Sequence, residues 1–272
     1  MPDLTPPAQT VRIVSLNLWG GLALDPLLQF VREQAPHTDL FCFQEAIAAP
    51  ELLSLACGFH ITLYHELARA LPEFDGAFDP VVTWPEPTED GRQIEVPFGL
   101  ATFARRTLPI AARYADRVID HQDTLDAVPG LHDIVRWLQI TELRIPTGTL
   151  LIANYHGIAR PGTKLDSDER LAQSRAICRV LDAHDGPIAL VGDFNLLPET
   201  ESVRLLERGL RNLVIELGIP TTRSRLNPYF GTPQEQPHAD YAFVSPELQV
   251  AAFAVPDLQI SDHLPMILEL TF

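Results

Sequence analysis

What most constrains this chain is a repeated pattern: short, strongly apolar, strand-like segments stop abruptly on Asn, Glu, His or Asp. Gly192-Asp193-Phe194-Asn195 closes the run IALV, and Ser261-Asp262-His263-Leu264-Pro265 stands just before the apolar segment MILEL near the C-terminus. A strand whose apolar run ends this way can present its polar side chains together at one edge of a sheet, where the backbone is rigid and water or a substrate can enter. The 24 prolines are scattered, which suits many short strands and loops better than a helical bundle.

With 272 residues, 46% of them hydrophobic, the chain can bury a sizeable core. It has no internal repeat and no Gly/Ser linker, so residues 11–272 read as a single domain behind a flexible N-terminal tail, residues 1–10. The tail, MPDLTPPAQT, lacks the basic start and apolar stretch of a signal peptide. No uncharged apolar run reaches about 18 residues, so no membrane span is expected. Cys42, Cys57 and Cys178 have no ligand-like spacing, and their odd count points to reduced thiols and a cytoplasmic protein. The 36 acidic against 20 basic residues give a net charge of −16, which removes the broad basic footprint of a tight duplex-DNA binder. Salt screens exposed charges over about 8 Å, so a local cation or a metal can still dominate one cleft.

Apolar residues at 11, 13, 14, 16 and 18 make Val11 to Leu18 a buried strand, broken by Gly20-Gly21. A helix is expected from about Leu24 to Gln34, a strand from Asp39 to Gln44 that ends on Glu45, and a further strand from His60 to His65. Residues 66–97, rich in Pro, Asp and Glu, read as an irregular excursion from the core. Phe98 to Phe103, Ile110 to Val118, Ile134 to Leu143 and Thr149 to Tyr155 read as strands in a run of antiparallel hairpins. The loop GIARPGTK then leads to a helix, with Asp166 and Glu169 at capping-box spacing. Pro187 to Val191, Tyr241 to Ser245, Val250 to Val255 and Met266 to Leu270 supply the last strands, with a short helix at Ser202 to Glu207. Strands followed by surface helices, without strict βα alternation, point to two packed sheets with helices outside.

Each polar strand end has a bland reading beside a functional one. Glu45, after LFCFQ, must reach solvent, pair, or hold a cation. Asn17, inside VSLNLWG, is a hydrogen-bonded core amide or part of a site. Asp193 and Asn195 project to one face at i and i+2, where a carboxylate could orient water and a carboxamide could donate to an anionic oxygen; the same residues are also good Asx-turn material. His263 follows Asp262, and Asp240 is a further carboxylate able to orient an imidazole for proton exchange. His156 ends the strand LLIANY. Lys164, Arg160 and Arg170 follow it and could meet an anionic substrate, or be solvated.

Taken in order, Asn17, QE at 44 and 45, NYH ending at 156, GDFN at 192–195, ADY at 239–241 and SDH at 261–263 make the chain resemble the endonuclease/exonuclease/phosphatase superfamily over nearly its whole length. That superfamily includes pancreatic-type deoxyribonucleases, abasic-site endonucleases, neutral sphingomyelinases and inositol polyphosphate 5-phosphatases. The resemblance implies a four-layer α/β sandwich, two packed mostly antiparallel sheets flanked by helices, with the site at one end. It implies divalent-metal-dependent phosphoester hydrolysis, with Mg²⁺ or Mn²⁺ held by Glu45 with Asn17 nearby and with Asp262 beside the metal. Asp193 would align the attacking water, Asn195 would bind the phosphoryl group, and His263, oriented by Asp240, would contact or protonate it. His156 looks like the histidine of the deoxyribonuclease and sphingomyelinase branches. The GRxDY form common in the superfamily is PHADY here, so an arginine contact is missing from that place; His238 is a substitute or an exposed loop histidine.

The expected activity is therefore that of a phosphodiesterase or nuclease, with phosphomonoesterase action on a small phosphorylated metabolite as the alternative and an inactive binding module on the same fold as the rival from another class. The substrate is a phosphoester, nucleic acid or small molecule, and Lys164 and Arg160 are its expected contacts. The acidic surface and the lack of aromatic-basic interleaving argue against tight nucleic-acid binding.

Overall fold

Two six-stranded mixed sheets stack face to face in the computed structural model, which describes residues 9–51, 58–121, 134–160 and 162–272. The expected tail lies outside these residues up to position 8, as does Cys57. The first sheet is built from β1 (Thr10–Asn17), β2 (Leu40–Ile47), β3 (Phe74–Pro87), β4 (Gln93–Arg105), β11 (Gln249–Ala254) and β12 (Met266–Thr271), in the order β11-β12-β1-β2-β4-β3. The second contains β5 (Ile110–His121), β6 (Ile134–Ile145), β7 (Gly148–His156), β8 (Ile188–Asp193), β9 (Arg211–Asn212) and β10 (Asp240–Val244), in the order β5-β6-β7-β8-β10-β9. Only β1 with β2 and β7 with β8 run parallel; the other pairs are antiparallel.

Strict alternation assigns each strand residue to a layer. In β1 and β2, Val14, Leu16, Phe41 and Phe43 pack outward against Leu27, Phe30 and Val31 of α1 (Leu24–Gln34) and Leu63 and Leu67 of α2 (Leu63–Ala70). Their neighbours Val11, Ile13, Leu40 and Cys42 join the core shared with the second sheet, which includes Leu150, Ile152, Ala189 and Val191. Ala176, Ile177 and Leu181 of α3 (Asp168–Asp182) and Val203 and Leu206 of α4 (Glu201–Glu207) cover the second sheet. The result is the helix–sheet–sheet–helix sandwich that the sequence implies. No helix of the described residues is long and apolar enough to cross a membrane.

Three expectations need correction. Residues 66–97 are not an irregular excursion: most belong to α2 and to the long β3–β4 hairpin. Their Pro and acidic content fits an edge strand, since β3 is outermost, where prolines need no ladder donor on the open side and acidic residues discourage further pairing. Val81, Val82, Trp84, Ile94, Val96 and Phe98 build a satellite core there. His60 to His65 is not a strand, because Leu63 and Leu67, one turn apart, turn inward from α2 onto the outer face of the first sheet. Asp166 does not cap α3. Ser167 does, accepting from the Arg170 N–H at 3.3 Å, whereas Asp166 accepts from the N–H groups of Glu201 and Ser202 at 2.8 and 3.0 Å and so binds the first turn of α4 beside its N-cap Thr200.

Gly192, next to last in β8, has φ 141°, and a Cβ there would stand 2.0 Å from the Tyr155 carbonyl oxygen of β7. A backbone clash at the parallel β7–β8 seam has no flexible side chain to absorb it. Gly192→Ala should destabilise the protein by about 3 kcal/mol or more, read as a lower urea midpoint at an unchanged m-value.

Candidate active site

The second sheet delivers three polar groups in one row. Asp240 of β10 is the register partner of Asp193 of β8, which is in turn the partner of His156 of β7, so the three side chains stand on one face at successive strand spacings. That face is the inner one, because Asn154, two residues before His156, donates to the Phe43 carbonyl at 3.1 Å in the opposite sheet. From the first sheet comes Asn17, whose partner across β1–β2 is Gln44. Glu45 follows at a register shift between Phe43 and Ala46, with φ 58°. Simple alternation would turn Glu45 outward with Phe43, and the bulge re-aims it inward.

Asn17 ties these parts together. Its Nδ2 donates to Glu45 Oε1 at 3.1 Å and to Asp193 Oδ2 at 3.0 Å, while its Oδ1 accepts the Trp19 N–H at 2.9 Å. The structure thus turns the amide nitrogen of Asn17, not its oxygen, to the carboxylates, which makes it a bridge between the sheets. The loop before β12 supplies His263 and Asp262. His263 Nδ1 lies 2.9 Å from both oxygens of Asp240, and its Nε2 lies 3.6 Å from Asp193 Oδ2 and 3.7 Å from Asp262 Oδ1. His156 Nε2 approaches Asp193 Oδ2 at 3.7 Å and Glu45 Oε1 at 3.8 Å.

Phe194 packs against Tyr155, Tyr241 and Phe243 and anchors the turn after β8 from behind. Asn195 N–H donates to Asp193 Oδ1 at 2.9 Å, and Asn195 sits at φ 54°. The Asx turn is present, and it is what holds the Asp193 carboxylate. Lys164 Nζ donates to Asn195 Oδ1 at 2.5 Å, leaving Nδ2 only a long 3.5 Å contact with the Gly157 carbonyl.

The electrostatics separate the two histidines. Burial, helped by the Arg136 charge, drives His156 down to about 3 despite the nearby Asp193, so it is neutral at pH 7. Burial and the Arg223 charge also oppose protonation of His263, but Asp240, Asp262 and Asp193 outweigh them and raise its pKa above the ordinary value. Burial works against ionisation of Asp193, yet His263, Lys164, His156 and Arg223 hold it well below the usual carboxylate range. Glu45 is pushed up to about 7, by burial first and then by the Asp262 charge. Lys164 is lowered to about 8 by burial and by Arg223.

Asp193, Asp240 and His263 each offer one ligand atom within 4.8 Å of the others and could hold a metal. Those atoms already serve one another and Asn17. Glu45 is different: it is a largely buried acid beside two other carboxylates, in close contact with the Asn17 amide and a neutral His156 and only partly offset by the His263 charge. A hard divalent cation would supply the positive charge missing there.

Beside the cluster opens a cleft of about 570 Å³ lined by Trp19, Arg160, Lys164, Arg223, Tyr229 and Asp262 among others. A larger cavity of about 660 Å³, formed by α3, α4 and the start of β8, includes none of the clustered residues. Lys164 and Arg160 therefore both border the site. Arg170 does not serve as a substrate contact: it is buried and donates to the carbonyls of Ile158, Ala159 and Leu165, fastening the loop that carries Arg160 and Lys164. His238 bonds the Ile219 carbonyl and does not stand in for an arginine. A guanidinium does reach the site, from Arg223, which contacts His263 Nε2 and lies 3.5 Å from Asp262 Oδ2. The sequence carries no local signal for Arg223, since it lies in the irregular TTRSR segment and is brought in by an isolated bridge to His263.

A family model described as Endonuclease/Exonuclease/phosphatase family matches residues 14–263. Among solved structures, a family protein from Leptotrichia buccalis superposes with a TM-score of 0.66 at 15% identity, covering 96% of this chain and 100% of its own. A Bacteroides thetaiotaomicron mannosyl-6-phosphatase gives 0.62 at 18% identity, covering 96% and 100%, and the human Nocturnin catalytic domain with bound sulfate gives 0.60 at 18%, covering 97% of each chain. These likenesses are to the fold. No curated protein matches the chain.

In metal-free protein the two shifted groups oppose each other. His156, depressed from 6.5 to about 3, leaves the unfolded chain binding the extra proton in that window, so stability falls as pH drops through it, by up to about 1.4 kcal/mol per unit. Glu45, raised from 4.5 to about 7, binds its proton in the folded state, so its stabilisation is lost as pH rises through that window. Glu45→Gln removes the second term. Its urea midpoint should drop more steeply than the parent's on acidification from pH 6.5 to 4.5; parallel curves would contradict these assignments.

Proposed function

The chain belongs to the endonuclease/exonuclease/phosphatase family, and from that membership and the geometry of the cluster we propose that it hydrolyses a phosphoester by in-line attack of a water aligned on Asp193. The observation that carries this reading is the placing of opposite electrostatic demands within one site: an Asp193 carboxylate held ionised, and 3.6 Å from it a His263 imidazole favoured as the cation by Asp240. An ionised Asp193 can accept a hydrogen bond from the attacking water and take its proton. His263 Nε2–H can donate to a phosphoryl oxygen or to the leaving oxygen as charge builds there. Asn195 Nδ2 and neutral His156 are further donors in the pocket, worth most where transition-state charge exceeds ground-state charge.

Glu45 and Asp262 would hold Mg²⁺ or Mn²⁺, with Asn17 as the residue that positions Glu45. The cation would neutralise phosphoryl charge and orient the substrate. Since cation binding favours the ionised form of Glu45, Mn²⁺ affinity should rise with pH up to about 7 and then level off, and Glu45→Gln should flatten that profile in a calorimetric titration.

The net charge of −16 and the bounded cleft favour a small phosphoester over nucleic acid. Turnover of bis-p-nitrophenyl phosphate and p-nitrophenyl phosphate with Mg²⁺, Mn²⁺ or chelator tests the reading directly. Asp193→Asn and His263→Ala should each lower kcat by about 10²- to 10³-fold while unfolding cooperatively. Folded variants that keep the parent rate would refute the assigned roles, and an inert parent with every cation would leave a binding module on this fold.

A further inference from the structure

Two cations in this site have no counterpart in the hydrolytic steps above. Lys164 and Arg223 are both buried, line the same cleft, and come from different loops. Each is fixed by backbone. The Lys164 carbonyl accepts the Leu197 N–H at 2.9 Å, and Lys164 is held at φ 55°, a conformation a non-glycine residue adopts only under constraint. Around Arg223, Leu264 N–H donates to the Thr222 carbonyl at 2.8 Å and Ser224 N–H to the Asp262 carbonyl at 3.0 Å. The two side chains flank the groups that would face a phosphoryl centre: Lys164 bonds Asn195 at 2.5 Å, and Arg223 contacts His263 Nε2.

Their carboxylate partners are shared. Asp193, the carboxylate whose charge both cations feel, has its oxygens taken by the Asn17 amide and the Asn195 N–H; Asp240 is spent on His263, and Asp262 divides one oxygen between Arg223 at 3.5 Å and Asn227 at 3.2 Å. Two desolvated cations facing one cavity are costly unless an anion enters between them. The contact of Arg223 with His263 Nε2 also lies where a phosphoryl oxygen would bond that nitrogen. An entering phosphate would take the Nε2–H and receive the guanidinium on its other oxygens, the bidentate geometry for which arginine is suited.

Resting on the phosphoesterase reading, we propose that Lys164 and Arg223 form a two-cation clamp that selects the terminal, dianionic phosphate of a small phosphomonoester over the singly charged phosphate of a diester. A monoester phosphate carries nearly two charges and three strong acceptor oxygens above its second pKa near 6, whereas a diester offers one charge and two such oxygens.

The test compares p-nitrophenyl phosphate with bis-p-nitrophenyl phosphate, which share a leaving group, at pH 7 with Mn²⁺, using the full chain. Arg223→Gln and Lys164→Gln should each lower kcat/KM for the monoester by about 10- to 100-fold and leave the diester far less affected, with Arg223→Lys recovering part of the loss. Calorimetric titration of inorganic phosphate into chelator-treated protein gives a second readout without turnover: binding at pH 7 in the parent, lost in both Gln variants, and none for dimethyl phosphate. Equal losses on both substrates, or phosphate binding unchanged in folded variants, would overturn the clamp. A parent that turns over neither ester but binds phosphate through these residues would instead sink the hydrolase reading and leave the clamp standing.

Discussion

The Asn17 amide is the point on which the site depends, because it joins side chains of both sheets where neither sheet alone has a site. Its nitrogen reaches Glu45 from its own sheet and Asp193 from the other, and the Asn17 backbone carbonyl accepts the Ser261 hydroxyl at 2.6 Å beside the SDH loop. This works only if the sheets stack in one register. Behind the site, a buried polar seam holds that register: Gln44 Nε2 donates to Asn154 Oδ1 at 2.7 Å across the sheets, and Asn154, Thr102 and Gln139 are mutually hydrogen-bonded. A purely apolar interface could tolerate small slips, whereas buried amides lose partners when they move.

Strain gathers at the same place. Among the described residues, four non-glycine residues have positive φ: Trp19, Glu45, Lys164 and Asn195. Glu45 and Asn195 are in the cluster and Trp19 and Lys164 line its cleft; Asn17 holds Glu45 and the Trp19 N–H, and Asn195 is held by Asp193 two residues back and by Lys164 from another loop. Backbone that costs energy locally persists where the surrounding packing over-determines it, and here it aims side chains that regular strands would turn elsewhere. The same packing shifts the two histidines in opposite directions. His263 has a carboxylate bonded to Nδ1, whereas at His156 burial outweighs Asp193 at 3.7 Å.

Much of this was legible in order along the chain. The apolar runs ending at Asn17, Glu45, His156 and Asp193, and the run that follows Asp240, did become strands, and their polar ends did meet. The β3–β4 hairpin was not legible, because proline and acid look like loop until it is known that β3 lies at an edge. Arg170 read as a solvent-facing cation, but its guanidinium is consumed by backbone carbonyls. Arg223 gave no signal, since its relation to His263 spans a loop whose path no local pattern encodes.

The sequence by itself determined which residues end strands and which faces those strands bury, because alternation and apolar content act over a few neighbouring residues. Tertiary structure alone decided which amide bridges the sheets, which histidine is favoured as the cation, that Asp166 binds the first turn of a helix other than its own, and that two cations face one cleft. Those outcomes depend on the distance between groups far apart in the chain, and that distance exists only once the sheets have stacked.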